Sequence, residues 1–328
     1  MTTVSTSVAP RRAPITRAGG SKLKISLNAY SFSGELNAYL KEPLTGMSLF
    51  DLLDFCAEND FDALDPTGYF FPGYPNVPDE AYLNRFKRRA FELGLDVSGT
   101  GVRNNFASPD KQKRAADVQH VCEWIECAAR MGAPVIRVFA GVQPDGFTWD
   151  QVAEWMAEDL RSCVDYGKRY GVIVGLQNHG DMLRSADDVL TMIDLVDSEW
   201  FGAIVDTGFL LTPDPYLDMA RLAPYAVNWQ VKETLRGKDS GVRLDLLRAV
   251  RVIRDAGYRG YLPIETLAVT GEPYDPRTKA ALLARELRES PESKNSSADT
   301  QLDILHRRAA CVRGSYGSPV TLSVSIGR

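Results

Sequence analysis

Polar and ionisable side chains stand at the ends of four short apolar segments in the second half of the chain. In chain order they are Gln177, Asn178, His179, Asp206, Gln230, Lys232 and Glu265. Asp206 and Glu265 offer carboxylate oxygens, which hard divalent cations prefer as ligands. Because two carboxylates leave a coordination shell short, Gln177 and Gln230 are predicted to add amide oxygens. The sequence therefore predicts a divalent metal site that favours Mn²⁺ or Mg²⁺, with Zn²⁺ or Co²⁺ as the alternatives.

Three of these residues are also candidates for catalysis. Glu265 is predicted to act as a base as well as a ligand. His179 is the one histidine of three that follows an apolar segment. It is predicted to be a ligand or a proton carrier, because imidazole titrates near neutral pH. Lys232 is predicted to bind a substrate oxygen, with Glu233 or Glu265 as its charge partner. The alternative interpretation is that all of these groups only cap strand ends and bind water.

A second set of polar residues follows the apolar segments of the first half of the chain. They are Tyr30, Asp65, Arg103 and Arg137. Together with Asn178, they are predicted to bind the substrate. The aromatic stretch 68–74 follows the second apolar segment. It is either a lid packed for stability, or an apolar wall over a sugar ring or a dimer contact.

The elements that must position these residues alternate along the chain. Short β-branched runs predict strands at 23–29, 61–65, 96–101, 135–139, 172–176, 201–205, 226–231 and 261–264. Amphipathic periodicity predicts helices at 49–59, 79–93, 110–131, 149–170, 186–195, 215–222, 244–256 and 276–288. Eight such units favour a closed (β/α)8 TIM barrel, since an open sheet would favour a glycine-rich phosphate turn after the first strand. In that barrel the candidate residues would meet at the C-terminal ends of the strands.

The barrel is predicted to be a single domain covering residues 22–288. Residues 1–21 are predicted to be a disordered leader, because no apolar stretch follows their arginines. Residues 289–328 are predicted to be a linker and a loosely attached tail, with an arm packed on a partner subunit as the alternative. The five cysteines form no Cys-x-x-Cys pair. They are predicted to be buried free thiols in a reducing cytoplasm.

The composition argues against two classes of partner. The formal net charge is −5, whereas nucleic-acid binding needs clustered Lys and Arg side chains. No apolar run approaches the roughly 20 residues that span a bilayer. We therefore expect a cytoplasmic protein that acts on a small molecule and binds neither nucleic acid nor membrane.

Four motifs at the strand ends together resemble a known family. They are LQNHG at 176–180, VDTG at 205–208, QVKE at 230–233 and PIET at 263–266. Over about residues 23–288, their order and spacing resemble the sugar phosphate isomerase/epimerase group of xylose isomerase-like TIM barrels. In ketose epimerases of that group, Glu, Asp, His and Glu from strands five to eight hold one divalent metal, and the two Glu residues exchange the proton. The resemblance implies that Asp206 and Glu265 are ligands, whereas Gln177 and Gln230 depart from the Glu and His of the pattern.

The resemblance implies an isomerase or epimerase that removes a proton next to the carbonyl of a keto-sugar or cyclitol, with assistance from a metal. Because an amide cannot take a proton from carbon, Gln177 makes 1,2-isomerisation and β-elimination as plausible as epimerisation. A second hypothesis is a lyase or deglycosidase-type subunit that acts on oxidised glycosides. A third is a non-catalytic sugar-binding barrel that has lost its metal, which the two glutamines favour. A homo-oligomer and a complex with a partner subunit both remain open.

Overall fold

The computed structural model describes residues 12–237, 241–269, 271 and 273–289. In these residues the strands are β1 (Lys22–Asn28), β2 (Ala63–Asp65), β3 (Asp96–Val97), β4 (Thr100–Gly101), β5 (Val135–Phe139), β6 (Ile173–Gln177), β7 (Phe201–Asp206), β8 (Ala226–Gln230) and β9 (Arg259–Ile264). The helices are α1 (Ser33–Lys41), α2 (Leu49–Glu58), α3 (Glu80–Glu92), α4 (Lys111–Met131), α5 (Trp149–Tyr170), α6 (Ala186–Val196), α7 (Pro215–Leu222), α8 (Leu246–Asp255) and α9 (Pro276–Glu289). Helices thus follow the strands in the repeated βα order that the sequence predicts.

The strands close into a barrel of parallel pairs. One curved sheet has the order β3-β2-β1-β9 and the other the order β4-β5-β6-β7-β8. The segments β3 and β4 are one strand interrupted at Ser98 and Gly99, so this strand joins the two sheets on one side. On the other side, the parallel bridge between Val231 and Ile264 joins β8 to β9. The predicted (β/α)8 barrel is therefore confirmed.

Local sequence signals fix the ends of several helices. Ser48, Thr148 and Ser185 begin α2, α5 and α6 with reciprocal capping boxes. Gly132 and Gly171 end α4 and α5 with φ angles of 85° and 69°. Glycine adopts this left-handed conformation without the penalty that a Cβ atom would bring. These signals explain why the predicted bounds of the long helices lie within one or two residues of the observed ones.

Two elements differ from the prediction. Helix α1 was not predicted, because it buries only Leu36 and so has no apolar periodicity. The strand predicted at 96–101 is divided into β3 and β4. The division lies where Asn228 of β8 reaches across the barrel and donates to the carbonyl of Ser98 at 3.1 Å. The Ser98 carbonyl therefore accepts from a side chain at the point where the strand is interrupted.

Residues 12–21 lie against the N-terminal ends of the strands. The Ile15 amide donates to the carbonyl of Pro224 at 2.9 Å. The Arg17 guanidinium donates to the first residue of β8, and Arg12 donates to the first residue of β7. This part of the predicted leader therefore packs on the barrel instead of extending freely. Residues 1–11 and the predicted tail from residue 290 onward lie outside the described residues.

Two further expectations concern the cysteines and the possibility of a membrane-spanning helix. Cys56, Cys122, Cys127 and Cys163 are free and buried, as predicted, and Cys311 lies outside the described residues. No helix in the described part of the chain is long and apolar enough to cross a membrane.

Candidate functional site

A cavity of about 620 Å³ opens at the C-terminal ends of the strands. Its lining includes the predicted residues Tyr30, Arg103, Arg137, Gln177, His179, Gln230, Lys232 and Glu265. A cavity of similar volume lies at the N-terminal end of the barrel, but its lining contains no carboxylate and no histidine. The C-terminal cavity is therefore the one whose side chains can carry proton transfer.

An ion-pair cluster forms the floor of this cavity. The Lys232 Nζ atom lies 3.1 Å from Asp206 Oδ2 and 2.9 Å from Glu265 Oε1. The Gln177 Nε2 atom donates to the same Asp206 Oδ2 at 2.6 Å. All four side chains are buried, and Asp206 is not exposed at all. The predicted pairing of Lys232 with Glu265 is present, and Asp206 is a second partner of the ammonium group.

The strand ends hold this cluster in place. Gln230 and Lys232 are two residues apart, so the alternation of a strand points both side chains into the barrel. The backbone amide of Lys232 donates to Thr207 Oγ1 at 2.9 Å. At Gly208, an added Cβ atom would lie 2.7 Å from Lys232 Cδ. A larger residue at this position would therefore force the lysine side chain to shift.

The charges of the cluster stabilise one another. Burial by itself disfavours the ammonium form of Lys232. The attraction of Asp206 and Glu265 outweighs this effect and raises the pKa of Lys232 above its ordinary value. Lys232 is therefore a cation at neutral pH. Buried groups keep their charge only when such partners compensate for the lost water.

His179 lies at the cavity wall between two aromatic rings. The ring centroids of Phe139 and Phe209 are each 4.6 Å from that of the imidazole. Burial, together with the nearby cations Lys232 and Arg137, lowers the pKa of His179 to about 4. The imidazole is therefore neutral at pH 7, with one N–H donor and one nitrogen acceptor for hydrogen bonds.

Two arginines also line the cavity. Arg137 is buried and donates to the Val102 carbonyl at 2.9 Å and to the Tyr69 hydroxyl at 3.2 Å. Arg103 is exposed, and its guanidinium carbon lies 4.5 Å from the centre of the Tyr69 ring. The Tyr30 ring packs edge-on against Tyr69. These groups can meet hydroxyl or anionic oxygens of a bound substrate.

Different residues of the aromatic stretch 68–74 fit its two predicted roles. Tyr69 lines the cavity, as an apolar wall would. Phe71 is fully buried beside Trp124, and the Tyr74 hydroxyl is 3.1 Å from His120 Nε2. Phe71 and Tyr74 therefore pack on α4, where His120 is half-buried.

Two of the predicted substrate-binding residues are not among those that line the cavity. Asn178 both donates to the carbonyl of Asp206 and accepts from its amide, each at 2.9 Å. Its side chain therefore positions the backbone of Asp206. Asp65 is enclosed in the barrel with 4% exposure. Burial raises the pKa of its carboxyl group to about 7, while Arg137 partly counteracts this effect.

Sequence reasoning did not select several residues that line the cavity. They include Asn28, Ser33, Phe139, Phe209, Leu267 and Ala268. Phe139 is the last residue of β5, so the rule that strand ends form the site would have found it. Phe209 comes three residues after the end of β7, in a turn whose path the sequence does not fix.

The donor atoms of the cluster do not suit a divalent cation. The ammonium of Lys232 contacts carboxylate oxygens of both Asp206 and Glu265, and Gln177 turns its nitrogen toward Asp206. Gln230 Oε1 is buried without a hydrogen-bond partner. Within the described residues, no three His, Cys, Asp or Glu side chains converge to hold a metal ion. An ammonium group thus stands where the sequence predicted a metal with Gln177 and Gln230 as ligands.

Three comparisons place the chain among known proteins. It is 26% identical over 147 residues to the C-glycoside deglycosidase alpha subunit of Arthrobacter globiformis, and the alignment covers 43% of this chain. The match spans only 36% of that relative's length. The structure superposes with a TM-score of 0.64 on 3-keto-D-glucoside 4-epimerase from E. coli, at 16% identity, covering 81% of this chain and 99% of that one. It also superposes on the IolI protein with a bound zinc atom, with a TM-score of 0.65, 10% identity and the same two coverages.

These likenesses fit the family match, and the two structural ones show the fold alone. One structural neighbour is a sugar epimerase, and another holds zinc, a divalent metal. The family match itself extends over residues 53–289, which is most of the barrel. The chain therefore belongs to the xylose isomerase-like TIM barrel family.

Proposed function

We propose that this protein is an isomerase or epimerase that acts on a keto-sugar or cyclitol by removing a proton next to a carbonyl group. The observation that carries the proposal is the pairing of Glu265 with Lys232 at 2.9 Å on the cavity wall. A carboxylate can take a proton from carbon, and an adjacent cation can stabilise the negative charge that develops on the carbonyl oxygen. Enolisation needs both groups at once.

The proposed reaction starts at Glu265. Its carboxylate takes the proton from the carbon beside the carbonyl, and the electron pair of that bond moves to the carbonyl oxygen. The resulting enolate oxygen lies at Lys232. For an epimer, the neutral imidazole of His179, which lines the same cavity, gives its N–H proton to the opposite face of that carbon, and the proton on Glu265 returns to the imidazole through water. For an isomer, which requires a hydroxyl group on that carbon, Glu265 gives its proton to the former carbonyl carbon, and His179 passes the hydroxyl proton from one oxygen to the other.

The remaining polar residues of the cavity would orient the substrate. Arg103, Arg137 and Tyr30 surround Tyr69 on one wall, where they would meet sugar hydroxyl groups. The Tyr69 ring would pack on an apolar face of the sugar. The zinc-holding neighbour favours the predicted metal assistance, whereas the donors of the ion-pair cluster do not. The steps above therefore use only side chains of this chain.

A second candidate function is a lyase or deglycosidase-type subunit that acts on oxidised glycosides. The similarity to the C-glycoside deglycosidase alpha subunit favours it. From the same enolate, the carbonyl could re-form while a C=C bond forms to the next carbon, and the group on that carbon would leave with the electron pair of its bond and take the proton held by Glu265. This function would be expected to need a partner subunit. Mass photometry that finds the active species to be a homo-oligomer alone would count against such a partner.

The variant Glu265→Gln tests the proposal. We would incubate the purified protein in D₂O with ketoses, keto-inositols and 3-keto-glycosides, and follow deuterium uptake and products by NMR. The wild type is expected to exchange the proton beside the carbonyl and to form an epimer, an isomer or a released aglycone. Loss of the base is expected to lower this rate by about 10²- to 10⁴-fold.

Glu233→Gln is the matched control for this experiment. Glu233 follows Lys232 in sequence, but its carboxylate pairs with Lys279 at 3.2 Å and does not line the cavity. This control is expected to keep the wild-type rate. Near-normal turnover in Glu265→Gln would contradict the assignment of the base. Substrate binding without exchange in the wild type would favour the non-catalytic barrel.

A further inference from the structure

We propose that the Lys232 ammonium group is the resident cation of this site and does the electrostatic work of a divalent metal, so that the enzyme operates without one. The role of Lys232 toward an oxyanion rests on the proposed function. Its occupancy of the cation position rests on geometry alone. The two parts can therefore be tested separately.

The Lys232 ammonium group already occupies the position between the two carboxylates. Lys232 Nζ lies within 3.1 Å of Asp206 and 2.9 Å of Glu265, the two carboxylates that the sequence selects as metal ligands. A cation bound between these carboxylates would have to displace the ammonium from both. Lys232, which is 4% exposed, would then be left as an unpaired buried charge. Breaking a buried pair in this way is strongly unfavourable.

The charges and hydrogen bonds around Lys232 also suit an ammonium group. Two carboxylates face one ammonium, and the adjacent positions 177 and 230 are neutral amides. Gln177 uses its N–H as a donor to Asp206, which a carboxylate at this position could not do. Gln230 lines the same cavity with a buried acceptor that lacks a protein partner. The amides therefore complete a lysine-centred site and leave one acceptor for a substrate hydroxyl.

The Lys232 side chain is also preorganised. Its ammonium group has three N–H donors and lies between Asp206, Glu265 and the Phe209 ring, whose centre is 4.5 Å from Nζ. The fixed backbone of Lys232 and the close approach of Gly208 hold the chain of methylene groups in place. A donor fixed in this way needs little reorganisation when an oxyanion forms beside it.

Binding of Mn²⁺ to the metal-stripped full-length protein tests the proposal by isothermal titration calorimetry and by elemental analysis after dialysis. The wild type is expected to retain no stoichiometric metal. Lys232→Met frees both carboxylates and is expected to bind Mn²⁺ at least about tenfold more tightly than the wild type. Lys232→Arg keeps the positive charge and is expected to exclude Mn²⁺ as the wild type does.

Lys24→Met is the matched control, because Lys24 forms an ion pair with Asp96 away from the cavity. This variant is expected to leave Mn²⁺ binding unchanged. Stoichiometric Mn²⁺ on the wild type would overturn the proposal, as would a folded Lys232→Met variant that gains no affinity. If Lys232→Met does not fold, the wild type and Lys232→Arg still decide the question. None of these readouts uses a substrate, so failure here is distinguishable from failure of the Glu265→Gln experiment.

Discussion

The carboxyl group of Asp65 shows how strongly the interior of the barrel controls the charge of a single residue. It stands at the end of β2 with 4% exposure. Burial raises its pKa from 3.8 to about 7; Arg137 opposes this shift and Glu265 adds to it. The folded protein thus holds a proton on Asp65 that the unfolded chain releases near pH 4. Between these values the native state binds more protons, so its stability falls as the pH rises.

The variant Asp65→Asn is expected to remove this pH dependence. Relative to the wild type, its free energy of unfolding should increase by about 2 to 3 kcal/mol between pH 5 and pH 8, because each unit of pKa shift corresponds to about 1.4 kcal/mol. Urea unfolding of both proteins at the two pH values measures the difference. Parallel stability curves would show that Asp65 does not hold the proton.

At the scale of the elements, periodicity and caps were enough to predict the barrel and the face that carries the site. The strand-end rule selected Asp206, Lys232 and Glu265, which the structure brings into one cluster. Spacing cannot show which atoms meet, so the insertion of Lys232 between both carboxylates was not predicted. The donor orientation of Gln177 likewise depends on a neighbour 29 residues away in sequence. Contacts made across the barrel are therefore what sequence reasoning lacked.

The turn after β7 gives an element-scale prediction. In Gly208→Ala, the new Cβ atom would lie 2.7 Å from Lys232 Cδ, and the ion pairs restrict how far this side chain can move. We expect the variant to lose about 1 to 3 kcal/mol of stability, as overpacked cores do. Urea unfolding measures the loss. Gly34→Ala in α1 is the control, since a Cβ atom there contacts nothing, and equal stability of the two variants would contradict the argument.

At the scale of the whole molecule, the two ends of the barrel differ. The C-terminal end carries the cavity with Glu265, the proposed base, and Lys232. The N-terminal end is covered in part by residues 12–21, which donate hydrogen bonds to the starts of β7 and β8. The Arg17 guanidinium also lies 5.0 Å from the centre of the Tyr258 ring. The candidate site and the packing of residues 12–21 are thereby separated by the length of the strands.

Deletion of residues 2–20 is therefore expected to lower stability and leave the reaction intact. It removes the backbone bond of Ile15 and the side-chain bonds of Arg12 and Arg17. At roughly 1 kcal/mol for each hydrogen bond, the free energy of unfolding should fall by about 3 kcal/mol. Deletion of residues 2–11 retains these bonds and is the comparison, with both proteins unfolded in urea and assayed for turnover well below the transition. Equal unfolding midpoints would show that the segment does not stabilise the barrel. A large loss of turnover in the folded variant would show that the two ends are coupled.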